Sequence, residues 1–207
     1  MSKIKLPHAS GNSMSIAAPA TTPASDLELK LPATVGTAGQ ALVNSSTPGT
    51  LEFGTVGKFV SSALIVDQKS ANTAGGTFTA GSHVHRDLNT EIFDPDNIVT
   101  LSSNDFTLAS AGTYIIEWSA PASSVNQHVS RLRETTDGTI REGTCQYAQA
   151  GGSDRSSGHA RVTQTGSKTY RIEHRCANTQ STNGLGVAST SISGYDTYTW
   201  VLILKEA

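Results

Sequence analysis

Apolar and polar residues alternate in short runs along most of this chain, and that period of two is the signature of half-buried β-strands. In DLELKLP the leucines at 27, 29 and 31 fall on one face, with Glu28 and Lys30 on the other. SMSIAAP places Met14 and Ile16 on one side. VGTAGQALV and TPGTLEF read as a glycine turn and a short strand ending at Phe53. From residue 58 onwards the pattern predicts strands at Lys58–Asp67, Gly76–Ala80, His83–Phe93, Phe106–Leu108, Thr113–Ala120, Gln127–Glu134, Thr139–Gln149, Gly158–Thr165, Lys168–Ala177, Gly186–Ser193 and Tyr198–Leu204. Turn sequences such as NTAGG, DPDN, SSND, TDG and TGSK separate them. No convincing helix intervenes. A series of short strands at this spacing indicates an all-β sandwich or jelly roll. Tyr114, Ile116, Trp118, Trp200, Leu202 and Leu204 are its candidate core or subunit-contact residues.

Composition divides the chain. Of twelve Phe, Tyr and Trp residues only Phe53 precedes position 57, and five of the seven prolines (7, 19, 23, 32 and 48) lie in the same stretch. Proline fixes φ and removes a donor, so long helices are excluded there. The strands before residue 57 are too short to form a stable sheet alone. Two or three copies wound together would bury their leucine faces. The expected organisation is an extended segment over 1–25, a short β shaft over 26–57, and a sandwich head over 58–207.

Four stretches of the head carry a family resemblance. DFTLASAGTYIIEWSAPA resembles the central strand pair of trimeric jelly rolls of the tumour-necrosis-factor and complement-head type. TYTWVLILKEA resembles their closing strand, which lies near the threefold axis. AGSHVHRDLNTE and SAPASSVNQHVSRLRETTDG are similar to wording found at the ends of bacteriophage fibre and decoration proteins. LELKLPATVGTAGQALVNSSTPGTLEFG resembles a phage-fibre shaft element, with Phe53 where Trp is more usual. The resemblance implies a homotrimer: an N-terminal extended anchor, a β shaft, and a C-terminal jelly-roll β-sandwich. It implies a structural virion protein, assembled in the host cytoplasm, of tail-fibre or capsid-decoration (head-fibre) type. Residues 1–25 would hold another virion protein, and the head would meet a host-surface glycan. Trimer contacts are expected at Leu27, Leu29, Leu31, Phe53, Tyr114, Trp118, Trp200 and Leu202. The alternatives are a soluble lectin-like carbohydrate-binding module and a polysaccharide depolymerase.

Charge and chemistry refine this only in part. Charged residues make up 15% and the net charge is −2, so nothing attracts nucleic acid or an anionic membrane surface. No apolar run approaches the length of a membrane span, and MSKIKLPHAS lacks the apolar region of a secretory signal. Cys145 and Cys176 allow one bridge or two reduced thiols. No nucleophile elbow occurs, and Glu117 and Glu173 stand isolated on separate strands, so no enzyme is expected. His83 and His85 share a strand face and would form an axial metal ring in a trimer. Asp94 and Asp96 stand in an acidic turn that would take Ca²⁺ or simply bond its own backbone. No cofactor is expected beyond such an ion. Arg131, Arg133, Arg171 and Arg175 suggest cross-strand ion pairs or a groove for an acidic glycan. The polar, glycine-rich loops 148–157 and 178–186 are the expected receptor contacts, through Gln149, Asp154, Arg155, Asn178, Gln180 and Asn183.

Overall fold

The computed structural model describes residues 3–7, 13–17, 28–37, 39–47, 49–55, 57–190, 192 and 194–207, the first two segments as backbone alone. The chain forms two compact units, Met1–Val56 and Gly57–Ala207.

In the first unit, β1 (Lys3–Pro7) pairs antiparallel with β2 (Ser13–Ala17), Ile4 standing opposite Ile16. A second hairpin joins β3 (Gln40–Asn44) to β4 (Leu51–Thr55), with Leu42 opposite Phe53. The Phe53 ring covers Gly36 so closely that a Cβ there would come within 2.5 Å of it. The strand expected around Leu29 and Leu31 reduces to a single parallel bridge between Lys30 and Thr50. Pro32 lacks the N–H needed to extend that pairing. Leu29 and Leu31 are 63% and 71% exposed, and Leu27 lies outside the described residues.

The second unit is an all-β jelly-roll sandwich. Its strands are β5 (Phe59–Ser70), β6 (Val84–His85), β7 (Thr90–Phe93), β8 (Val99–Ser102), β9 (Asp105–Leu108), β10 (Gly112–Ser123), β11 (Asn126–Glu134), β12 (Gly138–Glu142), β13 (Gln146–Ala148), β14 (Ser153–Gln164), β15 (Lys168–Cys176) and β16 (Tyr195–Glu206). One sheet has the order β14-β10-β16-β5-β7; the other runs β12-β11-β15-β9-β8, with β13 on β11 and β6 on β15. From β9 onwards the chain crosses repeatedly between the sheets, so β10 pairs with β14 and β16, β16 with β5, and β15 with β11 and β9, partners distant in sequence. That wrapping is the jelly-roll pattern.

Several expected strands are shorter than the alternation suggests. Gly76–Ala80 contributes one bridge, Phe78 to Gln180. His83–Phe93 divides into β6 and β7, and Thr139–Gln149 into β12 and β13. No strand forms among the described residues of 186–193. There Gly186 adopts φ +148° and lies flat on the Tyr198 ring, where a Cβ would stand 2.1 Å from Cδ1. The alternation also overlooked β8, which pairs with β9 through a turn carrying Ser103 and Asn104 at positive φ.

Two hydrophobic clusters fill the sandwich. The larger contains Tyr114, Ile116, Trp118, Phe106, Leu132, Tyr170, Ile172, Val201 and Ile203. The smaller, towards the loops, contains Phe78, Ala122, Val125, Ala148, Cys176 and Leu185. Polar side chains are buried alongside them: Arg86, His128, Ser130, Ser156, His174 and Thr199. Trp118 Nε1 donates to Ser130 Oγ at 2.8 Å, and Ser130 Oγ meets Ser156 Oγ at 2.8 Å. Buried polar groups are tolerated when paired in this way.

Candidate interaction site

The register of the five-stranded sheet decides which apolar residues face outwards. Tyr114, Ile116 and Trp118 on β10, and Val201 and Ile203 on β16, point into the sandwich and are fully buried. Their neighbours Ile115 on β10 and Trp200, Leu202 and Leu204 on β16 therefore point away from it. Across the ladder, Leu64 stands opposite Leu202, Phe93 opposite Leu64, Val66 opposite Trp200, and Ile115 opposite Leu204. The result is a continuous apolar surface over β7, β5 and β16. Phe93 remains 41% exposed, with Ile92, Phe59 and Val60 also exposed.

Tyr114 and Trp118, expected at a subunit contact, are thereby corrected to intrachain core: each is 0% exposed. Trp200 and Leu202 are on the outward face, as a contact requires. Leu64, Ile115 and Phe93 were not anticipated. The signal for Leu64 was the unbroken apolar run ALIV (63–66), matched by WVLIL (200–204) on the paired strand, which a strand covered on one face alone does not need.

The same outward face turns polar towards β14. Glu117 stands opposite both Leu202 and His159, and Ile115 opposite Arg161. Arg161 forks onto Glu206, with Nη2 donating to Oε2 at 2.6 Å and Nε to Oε1 at 3.1 Å. That bidentate pair raises the Arg161 pKa and lowers that of Glu206, the hydrogen bond being the chief cause in both.

Three arginines of the seven-stranded sheet are committed to carboxylates. Arg131 Nε donates to Glu173 Oε2 at 2.8 Å, and Arg171 Nη2 to Asp105 Oδ2 at 2.9 Å. Arg133 Nε approaches Glu173 Oε1 at 3.9 Å. A groove for acidic glycans at these three arginines gives way to cross-strand pairing. Arg175 stays exposed and borders a shallow cavity of about 380 Å³ with Gln127, Val129 and Cys145. Cys145 and Cys176 are both free thiols, one exposed and one buried.

The candidate metal ligands are not gathered. Asp94 accepts from Ile98 N at 2.9 Å and Val99 N at 2.8 Å, so its carboxylate closes its own turn. Asp96 accepts from Ser61 Oγ at 2.6 Å. His85 Nε2 lies 3.0 Å from Asp105 Oδ1, on the sheet opposite the apolar surface. Burial lowers the His83 pKa, aided by Arg131. Among the described residues no group of three or more His, Cys, Asp or Glu forms a metal site.

Of the six expected receptor contacts, Asp154 and Arg155 border a cavity of about 310 Å³ with Pro121, Ser153, Val187 and Thr197. Arg155 is held in place: Nε donates to Ser119 Oγ at 2.8 Å and Nη2 to the Tyr198 carbonyl at 2.6 Å. Gln149, Asn178, Gln180 and Asn183 do not line that cavity. Gln180 is joined to Phe78 by backbone bonds of 2.9 and 3.0 Å.

No family model and no curated protein matches the chain. Among solved structures, murine APRIL at pH 5.0 is similar over 70% of this chain and 98% of its own, with TM-score 0.49 and 7% identity. Eiger TNF from S. frugiperda matches with TM-score 0.48 and 10% identity, over 72% and 94%. The globular domain of zebrafish complement 1qA protein gives TM-score 0.41 and 18% identity, over 72% and 96%.

Proposed function

We propose that this chain is a non-enzymatic structural protein of a bacteriophage particle, a short homotrimeric fibre whose head meets the host surface. The observation that carries self-association is the two-faced apolar character of β5 and β16. Their inner faces are covered by the other sheet; on the outer face Leu64, Trp200, Leu202 and Leu204, with Ile115 beside them, are half-buried and Phe93 is exposed. A contiguous apolar surface that reaches solvent in this way marks an interaction site. The occupant we assign is a second copy of the chain. The surface is apolar over β7, β5 and β16 and charged over β10 and β14, so it does not mirror itself. A rotation that sets unlike patches together closes as a ring, and three copies make the smallest ring beyond a dimer.

The exposed Leu29, Leu31 and Val35 of the first unit supply a further apolar demand. Sibling chains would meet it, forming the shaft over 26–57, with residues 1–25 left to bind another virion protein. His85 lies on the opposite sheet, in β6, with His83 just before it, so association through this surface does not bring them to an axis. Tail-fibre and capsid-decoration placements both suit this arrangement. The cavity at Asp154 and Arg155 offers a rigid cation beside a carboxylate, a combination that bonds sugar hydroxyls. Three copies would give multivalent weak contacts.

Antibody labelling of purified virions tests the placement. Labelling at a tail tip or on capsid faces is the expected result; particles free of the protein would exclude it. A glycan array on the assembled protein, repeated with Arg155→Ala, separates adhesion from a purely structural role.

A further inference from the structure

His128 on β11 and His174 on β15 share a hydrogen bond inside the sandwich, with Nδ1 of the first 3.0 Å from Nε2 of the second. His128 is 3% exposed and His174 0%. Only one of the two facing nitrogens can carry a proton, so the bond fixes at least one ring as an acceptor. The other nitrogens, His128 Nε2 and His174 Nδ1, are buried without a partner among the described residues. In the neutral pair the accepting ring already carries its proton on its outer nitrogen, and the donating ring leaves its outer nitrogen bare. A proton taken up there would leave a charged ring with a buried N–H that meets no acceptor among the described residues.

The surroundings make that cation worse. Arg86 is fully buried near the pair; it donates from Nε to Thr199 Oγ1 and from Nη2 to the Leu185 carbonyl, both at 2.8 Å. These partners are neutral, and its Nη1 has none among the described residues. The other charged or titratable groups acting on the rings are His83, ahead of β6, and Asp154 on β14. Cys176 on β15 stands opposite His128 and is kept neutral by burial, its pKa pushed up to about 11. Asp67 acts on Arg86 but is bound to Lys69 at 3.0 Å. Among the described residues Asp154 is the carboxylate that acts on His128, against the cation of Arg86. Burial first, and then Arg86 for His174, hold both rings neutral.

The pair also supports the loop end. The Phe78 ring packs on His174 at 4.7 Å between centroids, and Phe78 carries Gln180 through their bridge. Leu185 is held by Arg86, and Leu185 N returns to the Gly76 carbonyl at 3.0 Å. Segments 75–80 and 179–187 thus rest on the imidazoles and the guanidinium.

We propose that the His128–His174 pair is an acid-sensitive latch: proton uptake by the rings releases segments 75–80 and 179–187 while the larger core stays folded. The latch lies within one chain and does not depend on the self-association reading. Each ring that gains a proton on opening raises the opening constant about tenfold per pH unit below its free pKa.

Hydrogen exchange on the full-length protein tests this. The amides of Phe78, Gln180 and Leu185 are expected to open at least tenfold more readily at pH 5.0 than at pH 7.5, after correction for intrinsic exchange. Those of Ile115 and Ile116 should keep their protection. In H128Q/H174Q the pH dependence of these loop amides should vanish. Should that variant fail to fold, imidazole NMR on the unaltered chain serves instead: both rings must stay neutral until the loops open and titrate together with them. Loops equally protected at both pH values would overturn the proposal. So would rings titrating near pH 6.5 with the loops closed, or a double variant that opens as the parent does.

Discussion

Gly158 and Trp118 face each other across β14 and β10, and a Cβ built on Gly158 would stand 2.3 Å from Cζ2 of the indole. The ring fills the space a side chain would occupy, and its Nε1 is fixed to Ser130. Gly158→Ala forces the ring or the strand to move. Overpacking of this kind costs about 1–3 kcal/mol, measurable as a lowered urea midpoint with unchanged slope. A change below about 0.5 kcal/mol, typical of surface substitutions, would show that the ring does not lie there.

Glu134 is 2% exposed, and its Oε2 accepts the backbone N–H groups of Thr136 and Asp137. Lys168 Nζ lies 3.8 Å from the same oxygen. The carboxylate therefore holds the β11–β12 turn. Glu134→Gln keeps the shape but presents a weaker, uncharged acceptor. Hydrogen bonds to charged groups contribute about 1.5–3 kcal/mol, and a loss in that range is expected by denaturant unfolding. An unchanged midpoint would remove this role.

The two histidines set the acid limb of the stability curve. Their unfolded reference value is 6.5, and both folded values lie below it. Between the folded and unfolded values the unfolded chain binds protons that the folded chain does not, so stability is full above pH 6.5 and falls as the pH drops beneath it. The slope approaches about 1.4 kcal/mol per pH unit for each ring. Denaturant midpoints from pH 8 to pH 5 should bend downwards near 6.5, and H128Q/H174Q should flatten that bend.

The thiols should differ sharply in reactivity. Cys145 is exposed; Cys176 is buried, its Sγ donating to the Asn178 carbonyl at 3.2 Å. A thiol reagent at pH 8 should modify one cysteine per chain in the native protein and two after unfolding. Reductant should leave the melting temperature unchanged, because no bridge exists to break. A reductant-sensitive melting temperature would contradict the free thiols.

How far the sequence revealed this arrangement depends on the distance over which each signal acts. Alternation is local, so the strands around Tyr114–Trp118 and Trp200–Leu204 were legible. Which alternate residues face inwards was not, because TYIIEW and TWVLIL offer apolar residues on both faces. Only the ladder, with Ile116 opposite Ile203 and Leu202 opposite Leu64, separates core from outer surface. Arg86, His128 and His174 left no local mark. Arg86 bonds Thr199, 113 residues away, and the histidines are 46 apart. Their burial follows from the crossings between sheets, which no short window contains. Asp94 was legible as a turn residue because its acceptors serve N–H groups four and five positions on.

The most direct measurement is the solution mass of the full-length chain by light scattering at neutral pH, alongside Leu202→Asp. Three times the 21.6 kDa chain mass is expected for the parent. Single chains of unchanged secondary structure are expected for Leu202→Asp, since a charge in the middle of the apolar surface opposes its burial. A parent protein that runs as a monodisperse single chain, with Leu202→Asp indistinguishable from it, would contradict the central claim.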